Sequence, residues 1–537
     1  AISLSVTSDV FNGTDSIAGM QLSLSRSRET GRVSLGVNIS DMAAADIALQ
    51  SPILSWLAVL DAPISGAVRT EIDPDGALAS FAGTLDIASG ALRPAEDIPP
   101  AEFDAAKAYF TFDPAAQRID FSQIEFAGLD GRVMATGHSY LSEFDGLWPK
   151  AFLGQFQVEA LDYDGGDVFS GPVSFNDLRA DMRLRLDPFT VELAQLVIDN
   201  KGTPVHAKGR IEARTGGWHA AIDATTREIS SKRVLELWPL KVSPITRTWL
   251  SRNLKAGRVL NPAAALRFQT GERPDLSLSF EFEDGVARFL PNMPELTDVR
   301  GRAALQDFDF TLAVLSGGVT ASSGERLDAS GSVFSVADVR PKPAWGAIRV
   351  KARGPLTAAL SVLNNRPLRI MERAKRPVDI ADADAMATAV VRLPLKDGIK
   401  NNEVSYSVAA ELRNIQSRNL VEGRSLVSKA LSLQADPSGV GLQGAASLDG
   451  VPLTVDWWQP FGDAAANGGR ITGSIALSNA AVEAFDLPLP NGFVSGQTDA
   501  DYDLALPVDA PPELALSSDL AGLSMSLPSL GISKPAS

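Results

Sequence analysis

Cysteine is absent from the 537 residues, which excludes disulfide staples, thiolate metal sites and cysteine nucleophiles together. Histidine is nearly absent: His138, His206 and His219 share no close ligand spacing, and neither a His-Glu-x-x-His nor a Gly-x-Ser-x-Gly elbow occurs. Positive charge is in deficit, with 49 Lys and Arg against 65 Asp and Glu. A net charge of −16 repels nucleic acid and anionic membrane surfaces from the bulk of the chain, so no nucleic-acid partner is expected. No apolar run reaches the roughly 18 residues that cross a bilayer as a helix. The chain starts inside a strand-like pattern with neither initiator Met nor signal peptide, and is expected to be an internal piece of a longer protein.

What is present is hydrophobicity, at 45% of residues, written almost everywhere with a period of two. Met20, Leu22 and Leu24 alternate with polar neighbours, and after a turn at Glu29 to Gly31 so do Val33, Leu35, Val37 and Ile39. The same grammar returns at Leu276, Leu278, Phe280 and Phe282, at Val404, Tyr406 and Val408, and at Tyr502, Leu504 and Leu506. Turns are expected at Asn12-Gly13, Asp130-Gly131, Asp284-Gly285, Asp397-Gly398, Asp449-Gly450 and Asn491-Gly492. Such patterning predicts a mainly β fold, a long antiparallel sheet apolar on one side only. That side either lines an open groove or closes on a second sheet as a sandwich core.

Helical signals interrupt the pattern. Ser231 opens a short turn running into Trp238-Pro239. Ser243-Pro244 then reads as N-cap and first helical residue, Ile245, Trp249, Leu250 and Leu254 as an apolar face packed on something large, and Gly257 as the C-cap. Segments 40–60 and 356–375 also read as helical or irregular. A module of strand, glycine, apolar pair and two prolines links 81–137 with 276–331, and Ala-x-Gly closes a strand-turn-strand unit at Ala135, Ala207 and Ala329. This divides the chain into 1–229, 230–340 and 341–537.

Four stretches together resemble the AsmA-like proteins, and among them the YhdP-type branch of Gram-negative bacteria: Leu57 to Gly66 (LAVLDAPISG), Trp238-Pro239 with Trp249 to Gly257, Gly285 to Pro294, and Leu516 to Lys534. In the last, Ser518, Asp519, Gly522, Leu527, Pro528 and Lys534 carry the likeness. The resemblance implies an elongated, highly curved antiparallel sheet forming a repeating β-groove with a few short helices. It implies a periplasmic segment, anchored to the inner membrane in the full-length protein, that carries phospholipid between the two membranes without catalysis or cofactor. On that reading Val33, Leu35, Val37, Leu276, Leu278, Phe280, Phe282, Val404, Tyr406 and Val408 line the groove, and Ile245, Trp249, Leu250 and Leu254 belong to a helix covering it. Partners would be phospholipid, the membrane through parts outside this segment, and an outer-membrane protein. A scaffold for outer-membrane proteins acting through sheet edges, and a glycan-binding sandwich array, are the competing classes.

Other motifs weigh less. Gly439 to Gly444 spells a dinucleotide fingerprint but is followed by a strand pattern where a helix is needed. The acidic clusters Asp162 to Asp167 and Asp379, Asp382, Asp384 lack the spaced Glu of a calcium loop, so no metal site is expected. Trp457-Trp458 reads as a strand-end pair, and the sequons at Asn12 and Asn38 as incidental.

Overall fold

The computed structural model describes residues 2–11, 17–128, 130–164, 168–200, 203–290, 292–490, 492–508, 510–527 and 531–536. The turn at Asn12-Gly13, Asp167 of the first acidic cluster, Asn491 and Pro528 lie outside them. Among the described residues, 31 strands hydrogen-bond into one antiparallel sheet, with a second sheet of three short strands, Leu60–Asp61, Gly90–Leu92 and Ala101–Phe103. The fold is mainly β, as the alternation predicts. Two compact units divide it: 1–247 with 259–280 and 305–307, and 248–258 with 281–304 and 308–537.

In the first unit one end of the sheet is made of tight turns, such as 73–77, 114–117 and 215–216, which cost little chain. The opposite end carries the long connections. Strand Val33–Ala43 leads there into α1 (Ala44–Ala48) and a 3-10 segment, Pro52–Val59, and strand Leu78–Ile87 leads into the small second sheet. This material folds back over the apolar face. Leu57 is 0% exposed, and Ile53, Leu54 and Ile47 are buried with it against Ile39, Ile64, Leu85, Phe110, Ile119 and Phe152 of the sheet. The Trp56 ring meets Phe121 edge-on at 6.4 Å. The stretch LAVLDAPISG is thus the joint between cover and sheet. At its end a Cβ on Gly66 would lie 2.1 Å from the Thr84 carbonyl oxygen, so only glycine lets the two strands approach. Gly66→Ala is expected to destabilise this unit by about 1–3 kcal/mol, the usual cost of overpacking, readable as a lower Tm of the first unit's transition.

The second unit repeats the scheme with different pieces. Strand Trp345–Pro355 enters α4 (Leu356–Leu363) and α5 (Ile370–Arg373); strand Gly469–Ser478 enters α6 (Asn479–Ala484), whose N-cap Ser478 accepts a hydrogen bond from the Ala481 amide. Ala381, Ala383, Leu412, Ile415 and Leu431 are buried where Leu356 and Leu420 close over them. The 418–425 connection is held by Arg424, which donates to Asp449 Oδ2 at 2.9 Å and to the Ala484 carbonyl at 2.6 Å. Asp449 also accepts from the Ser425 amide at 2.8 Å. That amide, with Arg424 second, holds the Asp449 carboxyl below its ordinary value. A depressed folded-state pKa stabilises above the unfolded value and is lost as pH falls through the folded one. The Ser425 amide is therefore expected to lose part of its hydrogen-exchange protection on acidification below about pH 4, and in Asp449→Ala, which removes the acceptor, to lose it at neutral pH.

The strands are bent by β-bulges. Asp41 (φ 53°) sits at a register shift after Ile39, Asn414 (φ 56°) follows Leu412, and Asp284 (φ 53°) lies inside strand Asp275–Ala287. Asp284-Gly285 is thus a bulge and not the hairpin turn its dipeptide suggests. Asp and Asn tolerate the left-handed conformation, and each bulge sharpens the local twist and bend. Asp130-Gly131 and Asp449-Gly450 do stand at strand-to-strand turns.

The helical insertion departs from expectation in three ways. The N-cap of α2 (Ser231–Glu236) is Ser230, whose hydroxyl accepts from the Arg233 amide at 3.2 Å, and not Ser231. Helix α3 (Pro244–Asn253) starts at Pro244 as predicted but ends four residues before Gly257, because Leu254 already opens strand Leu254–Gln269. Gly257 lies within that strand at φ 150°. Neither helix contains a buried residue. Ala135 and Ala207 lie in strands, whereas Ala329 precedes a turn at Ser330-Gly331, so the third Ala-x-Gly closes its unit differently.

Candidate functional site

Backbone register decides which side chains share a face, since directly paired residues point the same way. Starting from Val37, one row crosses the first unit through Leu22 and Val68, then Phe110, Phe121 and Phe156, and on through Leu196 to Ala264. Its neighbour starts at Leu35 and runs through Phe81, Ile119, Met182 and Leu193 to Ile222 and Leu266. Neither row contains an Asp, Glu, Lys, Arg or His. In the second unit the row from Ala387 passes Ala410, Leu433, Leu442, Trp457 and Ile471 to Leu504, again without charge. Glycines on this inner face make room for aromatic neighbours: a Cβ on Gly83 would meet the Phe110 ring at 2.5 Å, and one on Gly154 the Phe156 ring at 2.3 Å.

The outer face is the chemical opposite. Arg183, Glu192 and Arg210 pair across three strands at 3.9 and 3.8 Å, and Glu212 accepts from both Arg210 and Arg214. His138, His206 and His219 all lie on this face; His138 sits 3.1 Å from the Gln155 amide oxygen and edge-on to Tyr140, and the three are not brought together. Gly439 to Gly444 is strand throughout, and Trp458 lies over Gly439 and Gly441 on the outer side while Trp457 points to the inner one. Asn414 binds Asp384 at 2.8 Å, and among the described residues no group of three acidic or imidazole side chains is placed to hold a metal.

Burial then separates covered from uncovered parts of the inner face. Beneath the α1 cover it is closed, and Val37 packs against that cluster while Val33 and Leu35, nearer the tight turns, stay half-buried. Beyond the cover, Leu193, Leu196 and Ile222 are half-buried, and Leu266 and Phe268 are 37% and 38% exposed. A sandwich core would leave none of these accessible. Leu276 is 37% exposed, and Leu278, Phe280 and Phe282 share its face half-buried. Tyr406 and Val408 are half-buried on the inner face, and Val404 immediately precedes their strand. Burial raises the Tyr406 hydroxyl pKa, with Asp436 adding to it, and raises that of Tyr502, whose hydroxyl donates to the Thr454 carbonyl at 2.8 Å. The expected covering helix does not bury its predicted face: Ile245 and Trp249 remain 46% and 43% exposed, Leu250 is half-buried, and Leu254 belongs to a strand.

Sequence reasoning missed the aromatic row Phe110, Phe121, Phe156 and the row Leu433, Leu442, Trp457, Ile471. Bulges explain the first omission. In strand Arg118–Gly128 the inner parity switches from Ile119 and Phe121 to Ile124 and Phe126, so strict alternation fails midway.

The described residues of the terminal stretch, 516–527 and 531–534, form a folded corner. Lys534 Nζ donates to the carbonyls of Leu520 at 2.7 Å and Leu523 at 3.0 Å, Ser518 donates to the Asp499 carbonyl, Asp519 accepts from the Ala521 amide, and Gly522 takes φ 85°. Its conspicuous residues therefore hold backbone together. The chain matches no curated protein and no solved structure. The family model described as YhdP protein matches residues 137–537, well over half of the sequence, and with the long one-sided sheet it places the chain: it belongs to the YhdP protein family.

Proposed function

We propose that this chain is a periplasmic segment of an inner-membrane-anchored protein and shields phospholipid acyl chains on its inner face during transport between the inner and outer membranes. The observation that carries the reading is the set of uncharged rows on the inner face, continuous through the strand register within each unit and only partly covered. Exposing a lipid tail to water costs about 0.8 kcal/mol per methylene, so a sixteen-carbon chain left bare costs on the order of 12 kcal/mol. Contact with Leu, Ile, Val and Phe along the way removes most of that cost while the head group stays in water. Strands of 10 to 16 residues, such as Gly217–Thr226 and Leu254–Gln269, extend roughly 33–53 Å, more than the ~15 Å depth of one leaflet's tails. No reacting group is required.

Purified chain is expected to retain phospholipid through chromatography, detected by extraction and mass spectrometry, and to take up a tail-labelled fluorescent phospholipid from vesicles. Lipid-free protein that takes up no label sinks the reading. Crosslinking that captures nascent outer-membrane protein but no lipid would put a scaffold acting through sheet edges in its place.

A further inference from the structure

The chain as a whole is acidic, yet its α4–α5 insertion in the second unit is not. Between Arg366 and Arg376, Arg366, Arg369, Arg373, Lys375 and Arg376 face a single acid, Glu372. Glu372 is taken by Arg369, and its carboxyl is held below its ordinary value by that bond, with Arg366 and Arg373 adding to the effect. Arg366, Arg373, Lys375 and Arg376 are exposed and, among the described residues, form no salt bridge. The element that presents them is anchored: Ala358 and Met371 are buried, and Ser361 shares a 2.7 Å hydrogen bond with Ser322. It is also placed beside the inner face. Helix α4 follows strand Trp345–Pro355, and Leu356 packs on the Leu412 and Leu431 cluster that ends the apolar rows. Apolar Leu363 and Ile370, 40% and 37% exposed, flank the cations. The insertion 231–258 is also basic, with seven Lys and Arg against Glu236 alone, whereas the α1 and α6 insertions carry no Lys or Arg.

Resting on the lipid-shielding reading, we propose that the α4–α5 element binds the phosphate-bearing head groups of anionic phospholipids whose tails lie on the adjacent inner face, and so favours anionic over zwitterionic lipid. Exposed cations without a salt-bridge partner attract anions, and the element that carries them is joined to the inner face through Leu356, which packs on the same buried cluster as Leu442. Guanidinium groups suit phosphate oxygens by their paired donors.

The test uses the full chain and donor vesicles containing either tail-labelled phosphatidylglycerol or tail-labelled phosphatidylcholine. Wild type is expected to take up the glycerol lipid at least about fivefold better. Arg366→Gln with Arg373→Gln and Arg376→Gln is expected to bring the ratio to about one while leaving choline-lipid uptake unchanged, which also shows that the variant is folded. Removing the same charge from the outer face, by Arg349→Gln, Arg353→Gln and Arg392→Gln, is expected to leave the ratio at its wild-type value. Equal uptake of both lipids by wild type, or a preference that survives in the first variant or disappears in the second, overturns the proposal while the shielding reading stands. Uptake of neither lipid overturns both.

Discussion

Leu433→Asp combined with Leu442→Asp is expected to reduce phospholipid retention at least tenfold without unfolding the protein. The two residues are directly paired on the inner face and only half-buried. A carboxylate there is hydrated when the face is empty, so the folded state loses the packing of Leu442 on the Leu412 and Leu431 cluster and gains one like-charge pair, about 1–3 kcal/mol in all. With tails seated on the face the same carboxylates must be desolvated, and transfer of one charge into a lipid interior costs about 2.5–3.5 kcal/mol on insertion scales. Two of them exceed the roughly 1.4 kcal/mol that corresponds to a tenfold loss. Gln434→Asp with Ala445→Asp adds the same charge on the outer face and is expected to change retention less than twofold. Lipid-to-protein ratio from extracts, alongside circular dichroism, reads both effects.

Leu57→Ala is expected to cost the first unit about 2–5 kcal/mol, the range for truncating a fully buried leucine. Leu57 is 0% exposed at the centre of the cover, among Ile53, Leu54, Ile64 and Leu85. It fastens the cover to the sheet, so the loss is expected to appear as early unfolding of the first unit in denaturant while the second unit's transition keeps its midpoint. Equal shifts of both transitions would show that the cover matters to the whole chain. An unchanged first transition would contradict the packing described for it.

Much of the fold is written in the alternation itself. The hairpin around Val33 to Ile39, the strand from Leu276 to Phe282 and the irregular stretches at 40–60 and 356–375 stand where period-two patterning or its loss puts them. What the pattern does not carry is parity across a bulge: Asp41, Asp284 and Asn414 each insert a residue, after which the inward positions fall on the other phase. Two of these are followed by apolar residues that look outward by strict counting, as Ile415 does after Leu412, although Ile415 is almost completely buried. Helix exposure was equally illegible. Ile245 and Trp249 have the spacing of a packed face, but spacing cannot say whether a surface is there to receive it, and α3 contains no fully buried residue. Of the candidate site, Val33, Leu35, Tyr406 and Val408 are inward and half-buried as alternation implies. The rows that join them across the sheet depend on register, which no single strand encodes.

Photo-crosslinking along one row tests the central claim most directly. With benzoylphenylalanine placed in turn at Leu433, Trp457 and Ile471 on the inner face, and at Ser432, Asp456 and Arg470 on the outer, irradiation in the presence of phospholipid vesicles is predicted to give lipid adducts at the first three positions and none at the second. Adducts in equal yield on both faces, or on neither, would contradict an inner face occupied by acyl chains.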